Sequence, residues 1–270
     1  MEEKIEKDFI KKIKDNKKYI SISDSIIKRE VKEYARKYNL NFYNEEDIKN
    51  IRKQLHRFYS SYQTKAKKKI PKLLEELKKN NRDFEIINKI LSASLSTKER
   101  LDKYPFIYDK IFEVSKKPNF IIDLGCGLNP FSITYMKLKD IRYNAYDINE
   151  KDLEFITDFF LIMKIDGKAE IMDVRDLDSL KKIPHSDIIF MFKLYDLIVP
   201  KNRRLKKIGE EIIKVLKQKA DFIVVSFATK TLSRKLMNLP RRIGFEMMLD
   251  RNNMKYNFIQ TDNEIYYVIS

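Results

Sequence analysis

The stretch Phe120-Ile121-Ile122-Asp123-Leu124-Gly125-Cys126-Gly127-Leu128-Asn129-Pro130-Phe131 constrains this chain more than any other. Ile121, Ile122 and Leu124 put apolar side chains on both faces of a strand, as in a parallel strand buried within a sheet. Gly125 and Gly127 then admit backbone angles and a closeness of approach that a Cβ forbids. Asn129 before Pro130 reads as an N-cap and the first residue of a helix reaching about Lys139. Strand, glycine loop and helix start together offer N–H groups and a positive dipole end to a ligand. The dinucleotide pattern G-x-G-x-x-G fails, because Pro130 occupies its last position. The phosphate loop G-x-x-x-x-G-K-[ST] is absent.

Beyond this stretch the pattern alternates between strand and helix, which predicts an α/β fold with a parallel sheet. Strands are expected at 142–146, 169–172, 187–195 and 222–227, helices at 150–164 and 201–218, and a terminal hairpin at 254–260 and 264–269. Asp147 closes the second strand, where a carboxylate accepts from two adjacent ribose hydroxyls. Asp173 closes the third, placed to accept from an adenine amino group. Lys193 ends an otherwise apolar fourth strand, a costly place for a cation without a role or an exit to water. Lys230, Arg234 and Lys235 follow the fifth, at the end of the sheet where a doubly wound fold builds its site. The strand-four end lacks the Asn/Asp-Pro-Pro-aromatic tetrapeptide of exocyclic-amine methylation. The lone cysteine, Cys126, lies in the glycine loop, so cysteine-dependent C5 chemistry has no nucleophile.

The first hundred residues are different. Glycine is absent until Gly125, and apolar spacing of three to four predicts helices. Ile5, Phe9 and Ile13 share one face; Ile26, Ile27, Val31 and Tyr34 another. Asn44-Glu45-Glu46-Asp47 reads as an N-cap with acids in the first turn, ahead of Ile48, Ile51, Leu55, Phe58 and Tyr62. Net charge is +16, and residues 1–100 hold 27 Lys+Arg against 16 Asp+Glu. From Arg52 to Lys72 there is no acid, while Arg52, Lys53, Arg57, Lys65, Lys67, Lys68, Lys69 and Lys72 alternate with His56, Phe58, Tyr59 and Tyr62. That is the make-up of a phosphate-binding face. Arg203 and Arg204 add cations to the helix after strand four. One cysteine and two histidines exclude a multi-Cys zinc site and leave no metal expected. No apolar run approaches the roughly 20 residues of a membrane span, and the charged N-terminus lacks a signal-peptide core. The expectation is a cytoplasmic protein with a polyanionic partner, divided into a basic helical docking domain, 1–100, and an α/β domain, 101–270.

The motif Asp-x-Gly-x-Gly resembles the first motif of S-adenosylmethionine (SAM) methyltransferases. Several stretches together resemble one family among these, the aminoglycoside-resistance 16S rRNA (guanine-N7) methyltransferases. They are Leu55-His56-Arg57 with Tyr62, Ser96-Thr97-Lys98-Glu99-Arg100-Leu101, the Asp123–Phe131 loop, Tyr146-Asp147-Ile148, Lys193, Phe227-Ala228-Thr229-Lys230-Thr231-Leu232, and Asn263-Glu264-Ile265-Tyr266-Tyr267-Val268-Ile269. The resemblance implies a Rossmann-like sheet of about seven strands that ends in an antiparallel hairpin and follows an all-helical domain docking on the 30S subunit. SAM would be held by Arg100, Asp123, Gly125, Cys126, Gly127, Asn129, Asp147, Ile148, Asp173, Val174 and Lys193. Lys193 and Lys230 would stand near the transfer, a guanine N7 in the decoding region of 16S rRNA would be the acceptor, and the chain would act as a monomer. Methylation of another RNA such as tRNA, or a non-catalytic role in ribosome assembly, fits the same residues.

Overall fold

The structure, a computed structural model, describes residues 2–16, 19–38, 44–59, 65–79, 83–199, 203–230 and 240–270, without the side chains of 2–7, 57–59, 65 and 203–206. The assignments made to Arg234 and Lys235, and to the side chains of Phe58, Arg57, Tyr59, Lys65, Arg203 and Arg204, lie outside the described residues, as does Tyr62.

The chain opens with α1 (Glu2–Lys14), α2 (Asp24–Tyr38) and α3 (Glu45–Tyr59). Asn44 caps α3 as expected: its Oδ1 accepts from the Glu46 and Asp47 amides while Asp47 accepts from the Asn44 amide. Phe9, Ile13, Ile26, Ile27, Val31, Tyr34, Ile48, Ile51 and Leu55 bury one another in a core of their own. A short 3-10 turn at Lys65–Lys69 leads into α4 (Ile70–Lys79), α5 (Phe84–Leu91), α6 (Leu95–Arg100) and α7 (Tyr104–Ser115). The apolar faces of α4, α5 and α7 belong to the core on one side of the sheet.

The sheet comprises β1 (Phe120–Leu124), β2 (Arg142–Asp147), β3 (Asp166–Ile171), β4 (Ser186–Phe192), β5 (Ala220–Ala228), β6 (Tyr256–Gln260) and β7 (Glu264–Ile269). Between strands come α8 (Glu150–Met163), α9 (Leu177–Lys181), α10 (Tyr195–Ile198), α11 (Arg203–Lys217) and α12 (Ile243–Arg251). The strand order is β3-β2-β1-β4-β5-β7-β6. The first five strands run parallel and β7 enters antiparallel between β5 and β6. This is the expected sheet with its terminal hairpin. β1 is central, with Ile122 opposite Asn144 on one side and Ile189 on the other. Its side chains divide as the sequence requires: Ile121 joins the α4–α8 side, Ile122 and Leu124 the α11–α12 side.

Three local expectations are corrected. The helix foreseen from Pro130 to Lys139 is a 3-10 helix over Asn129–Tyr135, ended by left-handed turns at Lys137 and Asp140. The β-branched pair Ile133-Thr134 disfavours continuation. Asn129 is not its N-cap; its side chain turns inward to donate to Asp123. α6 begins after Ser94, and Thr97 donates from inside it to the Ser94 and Leu91 carbonyls. Strand four stops at Phe192, so Lys193 stands just past it, at φ 54°.

Candidate active site

The C-terminal ends of β1, β2 and β4 and the segment after β3 open onto one cavity, closed from the side by α6. Arg100, Gly125, Cys126, Gly127, Asp147, Ile148, Asp173, Val174 and Lys193 all line it, joined by Asp152, Arg175, Ser94 and Ser96. Asp123 and Asn129 stand behind this wall. Asp123 Oδ2 accepts from Asn129 Nδ2 at 2.9 Å and from the Tyr143 hydroxyl at 2.7 Å, and Asn129 Oδ1 accepts from Tyr104. They brace the loop from within. Asp123 Oδ1 is buried without a hydrogen-bond partner, and burial pushes the carboxyl up to about 6.

The glycine loop is shaped before any ligand arrives. The amides of Gly125 and Cys126 both donate to the Tyr146 carbonyl, at 2.8 and 3.1 Å. Gly125 sits at φ +64° with Leu194 packed where a Cβ would be, 2.8 Å away. Gly127, at φ +49°, has open space at its Cβ position and gives its amide to Asp147 Oδ2 at 2.8 Å. Asp147 Oδ1 accepts from the Asn149 amide at 2.9 Å. Each oxygen of Asp147 thus holds one backbone donor and keeps lone pairs toward the cavity. Burial, and then the neighbouring Asp152 charge, push the Asp147 carboxyl up. The Cys126 thiol is buried and pushed well above its usual value by burial and by Asp147, so it is a filler and not a nucleophile.

Asp173 meets two arginines. Arg175 donates to it from its amide, from Nε at 3.1 Å and from a terminal nitrogen at 2.8 Å, and Arg29 of α2 pairs with it at 3.1 Å. Burial alone would raise this carboxyl, but Arg175 and Arg29 hold it below the usual range. Arg175 also reaches Glu30 at 2.6 Å. The helical region is therefore tied by ion pairs to the cavity wall at Asp173 and Arg175.

Arg100 clamps a carboxylate bidentately, and in this structure that carboxylate is Glu264: Nε and a terminal nitrogen lie 2.9 Å from its two oxygens. Glu264 also accepts from Ser226 and pairs with Lys193 at 3.4 Å; Lys193 reaches Glu99 at 2.6 Å. The Lys193 ammonium thus sits between two carboxylates at the cavity edge. Lys230 follows β5 and is not among the cavity-lining residues, so the structure does not bring the two lysines together there.

Sequence reading missed Glu264, Asp152, Arg175 and Arg29 as site residues. For Glu264 the signal was available: a Glu in an otherwise apolar strand is a buried charge needing a partner. The basic run is also less uniform than its composition implied. Lys53, Lys68, Lys69 and Lys72 are exposed. Arg52 donates to the Lys12 carbonyl of α1 at 2.5 Å. Lys67 is 7% exposed and pairs with Asp152 at 2.5 Å, so it has the counter-charge that its neighbours in sequence did not supply.

The donor set fits SAM. Gly127 leaves open a cradle that a Cβ would fill, Asp147 offers acceptors for hydroxyls, and Met172, Val174, Leu197 and Ile198 give apolar faces for a flat ring. Among the described residues there is no His/Cys/Asp/Glu cluster suited to a metal, and no helix long and apolar enough to cross a membrane.

The chain resembles known proteins over most of its length. Residues 17–268 match the family described as "Ribosomal RNA methyltransferase (FmrO)". A curated relative from Proteus mirabilis, named 16S rRNA (guanine(1405)-N(7))-methyltransferase, is 30% identical over 241 residues, covering 82% of this chain and 83% of that protein. A relative of the same name from Micromonospora rosea is 25% identical over 231 residues, covering 82% and 81%. The solved structure of the 16S rRNA methyltransferase RmtF in complex with S-adenosyl-L-homocysteine shares the fold at a TM-score of 0.80, with 18% identity and coverage of 98% and 97%. An rRNA methylase structure from Escherichia coli does so at 0.73, with 20% identity and coverage of 98% and 99%. With nearly its whole length matched and its cavity built around the glycine loop, this chain belongs to the FmrO family of ribosomal RNA methyltransferases.

Proposed function

We propose that this chain methylates the N7 of a guanine in 16S rRNA with SAM as the methyl donor. The observation that carries this is the cavity at the strand ends, in which the glycine loop, Asp147 and Arg100 converge, in a chain of this family. When bound, SAM supplies a methyl group already activated by its sulfonium. Guanine N7 offers an unshared lone pair and needs no base, so the chain's task is alignment and exclusion of water. That suits a site whose lysine is held between Glu99 and Glu264 and whose cysteine is buried.

Asp147 would receive the ribose hydroxyls. Arg100, with one edge committed to Glu264, would turn its remaining edge to the methionine carboxylate. Asp173 would take the adenine amino group only where one of its arginine contacts gives way; the apolar residues beside it would hold the ring. Lys193 would stand at the mouth where the guanine enters. The exposed Lys53, Lys68, Lys69 and Lys72 would contact rRNA phosphates in the assembled 30S subunit. The chain would act as a monomer. A ribosomal substrate would place it in the cytoplasm.

The test is methyl transfer from labelled SAM to 30S subunits, naked 16S rRNA and bulk tRNA in parallel, followed by borohydride and aniline, which cleave at N7-methylguanine. Label in 16S rRNA with one cleavage in the decoding region is expected. Label without cleavage would reject N7, and no transfer to any RNA would reject the reading.

A further inference from the structure

Lys67 differs from the other cations around it. The 3-10 turn at Lys65–Lys69 exposes Lys68 and Lys69 but turns Lys67 into the protein, where its side chain is 8% exposed. There its Nζ lies 2.5 Å from Asp152 Oδ2. Asp152 is on the first turn of α8, 4% exposed, and lines the cofactor cavity. Its amide, with that of Lys151, is capped by Asn149, the residue whose own amide goes to Asp147. A continuous path therefore runs from the basic turn through Asp152 to the acid that closes β2.

The titratable groups around Asp152 fall on four elements. Asp147 lies at the end of β2, Cys126 in the glycine loop, Lys151 on α8 itself and Lys67 on the 3-10 turn. Two carboxylates thus share one wall, and each disfavours ionisation of the other. Lys67 is the cation that comes to them from another element, and its attraction lowers both carboxyls against their burial. A buried ion pair whose one partner is removed leaves an uncompensated charge, so the two hold each other in place.

We propose that Lys67 is a positioning residue of the cofactor cavity: through Asp152 it fixes the acidic wall that receives the ribose, so the basic segment 65–69 serves the cofactor at one position and rRNA at its neighbours. This rests on the reading of the cavity as a SAM site with Asp147 toward the ribose.

The experiment is calorimetric titration of the folded protein with SAM from pH 8 down to the acid limit of its stability, without RNA. In the wild type, affinity falls on the acid side as the wall loses charge. K67M weakens SAM binding about tenfold at pH 7 and moves the acid midpoint up by about one pH unit. K67M/D152N, which removes the cation and the neighbouring acid together, moves the midpoint back down. D152N alone, nearly isosteric and so readable even where K67M fails to fold, moves the midpoint below that of the wild type. K68M leaves SAM binding unchanged at every pH. A midpoint that D152N leaves unmoved overturns the proposal, as does weakened binding in K67M with an unshifted profile, which marks a purely structural contact. Absence of SAM binding by the wild type at any pH overturns the underlying reading of the site instead.

Discussion

Arg100 and Glu264, 164 residues apart in the chain, meet in a bidentate ion pair with both distances at 2.9 Å, buried where α6 abuts the start of β7. Burial alone would lower the guanidinium's pKa, yet Glu264 holds it well above its usual value; the Glu264 carboxyl, opposed in the same way by burial, is held down by Arg100 and Lys193. The pair fastens the helix that carries an expected cofactor ligand to the far end of the sheet.

Breaking this pair on one side is expected to be costly. Glu264→Gln leaves Arg100 and Lys193 facing a neutral amide in a dry site, and it should destabilise the protein by about 3–5 kcal/mol. Urea unfolding reads the loss directly. An unchanged midpoint of unfolding would show that the pair contributes nothing.

Asp147→Asn should weaken SAM binding by about 10- to 100-fold, the worth of charge-assisted hydrogen bonds to two hydroxyls. The Gly127 amide loses its anionic acceptor at the same time. Calorimetry gives the affinity. Binding as tight as in the wild type would remove Asp147 from the ribose.

Asp123 gives a pH dependence of opposite sign to that of a salt-bridged carboxylate. Its folded-state carboxyl lies at about 6, above the ordinary value of 3.8, so the native state holds its proton more tightly than the unfolded state does. This contribution to stability is absent above pH 6, grows as pH falls through 6, and is complete below 3.8. Asn mimics the neutral acid. The advantage of Asp123→Asn over the wild type should therefore shrink by about 2 kcal/mol between pH 8 and pH 4. Urea unfolding of both proteins at the two pH values checks it; a constant difference would contradict it.

Lys68→Glu with Lys69→Glu should weaken binding to 30S subunits and flatten its salt dependence by about 1 to 2 in log–log slope. SAM affinity should not change, since both side chains point to solvent. Filter binding across a salt series measures the slope, and an unaltered slope would take this turn off the rRNA interface.

Asp147 was legible in the sequence because a strand end at a fixed distance from a glycine loop is a local pattern, and the sheet carries that pattern unchanged. So was the division of β1 between two cores, which alternation dictates. Lys67 was not legible. In sequence it is one of three consecutive lysines, and only the 3-10 turn decides which of them faces inward. Nor was the engagement of Asp173 by Arg29, because nothing local indicates that α2 lies against the third strand's end. The 3-10 helix after the loop escaped for another reason: Asn-Pro is a sound start signal, but the Asn side chain was needed for Asp123.

The helical region is joined to the sheet by main chain as well as by side chains. Ile22 bridges to Asn149, the Ser23 amide approaches the Ile148 carbonyl at 3.5 Å, and the Glu150 amide donates to the Ser21 carbonyl at 3.1 Å. Backbone pairing is indifferent to side-chain identity. The exposed face of the helical region can therefore gain or lose cations, Arg29 and Lys67 excepted, while the stitching to the α/β half persists. Helices of different surface charge would keep that main-chain attachment wherever the segment around Ser21–Ser23 retains its length and course.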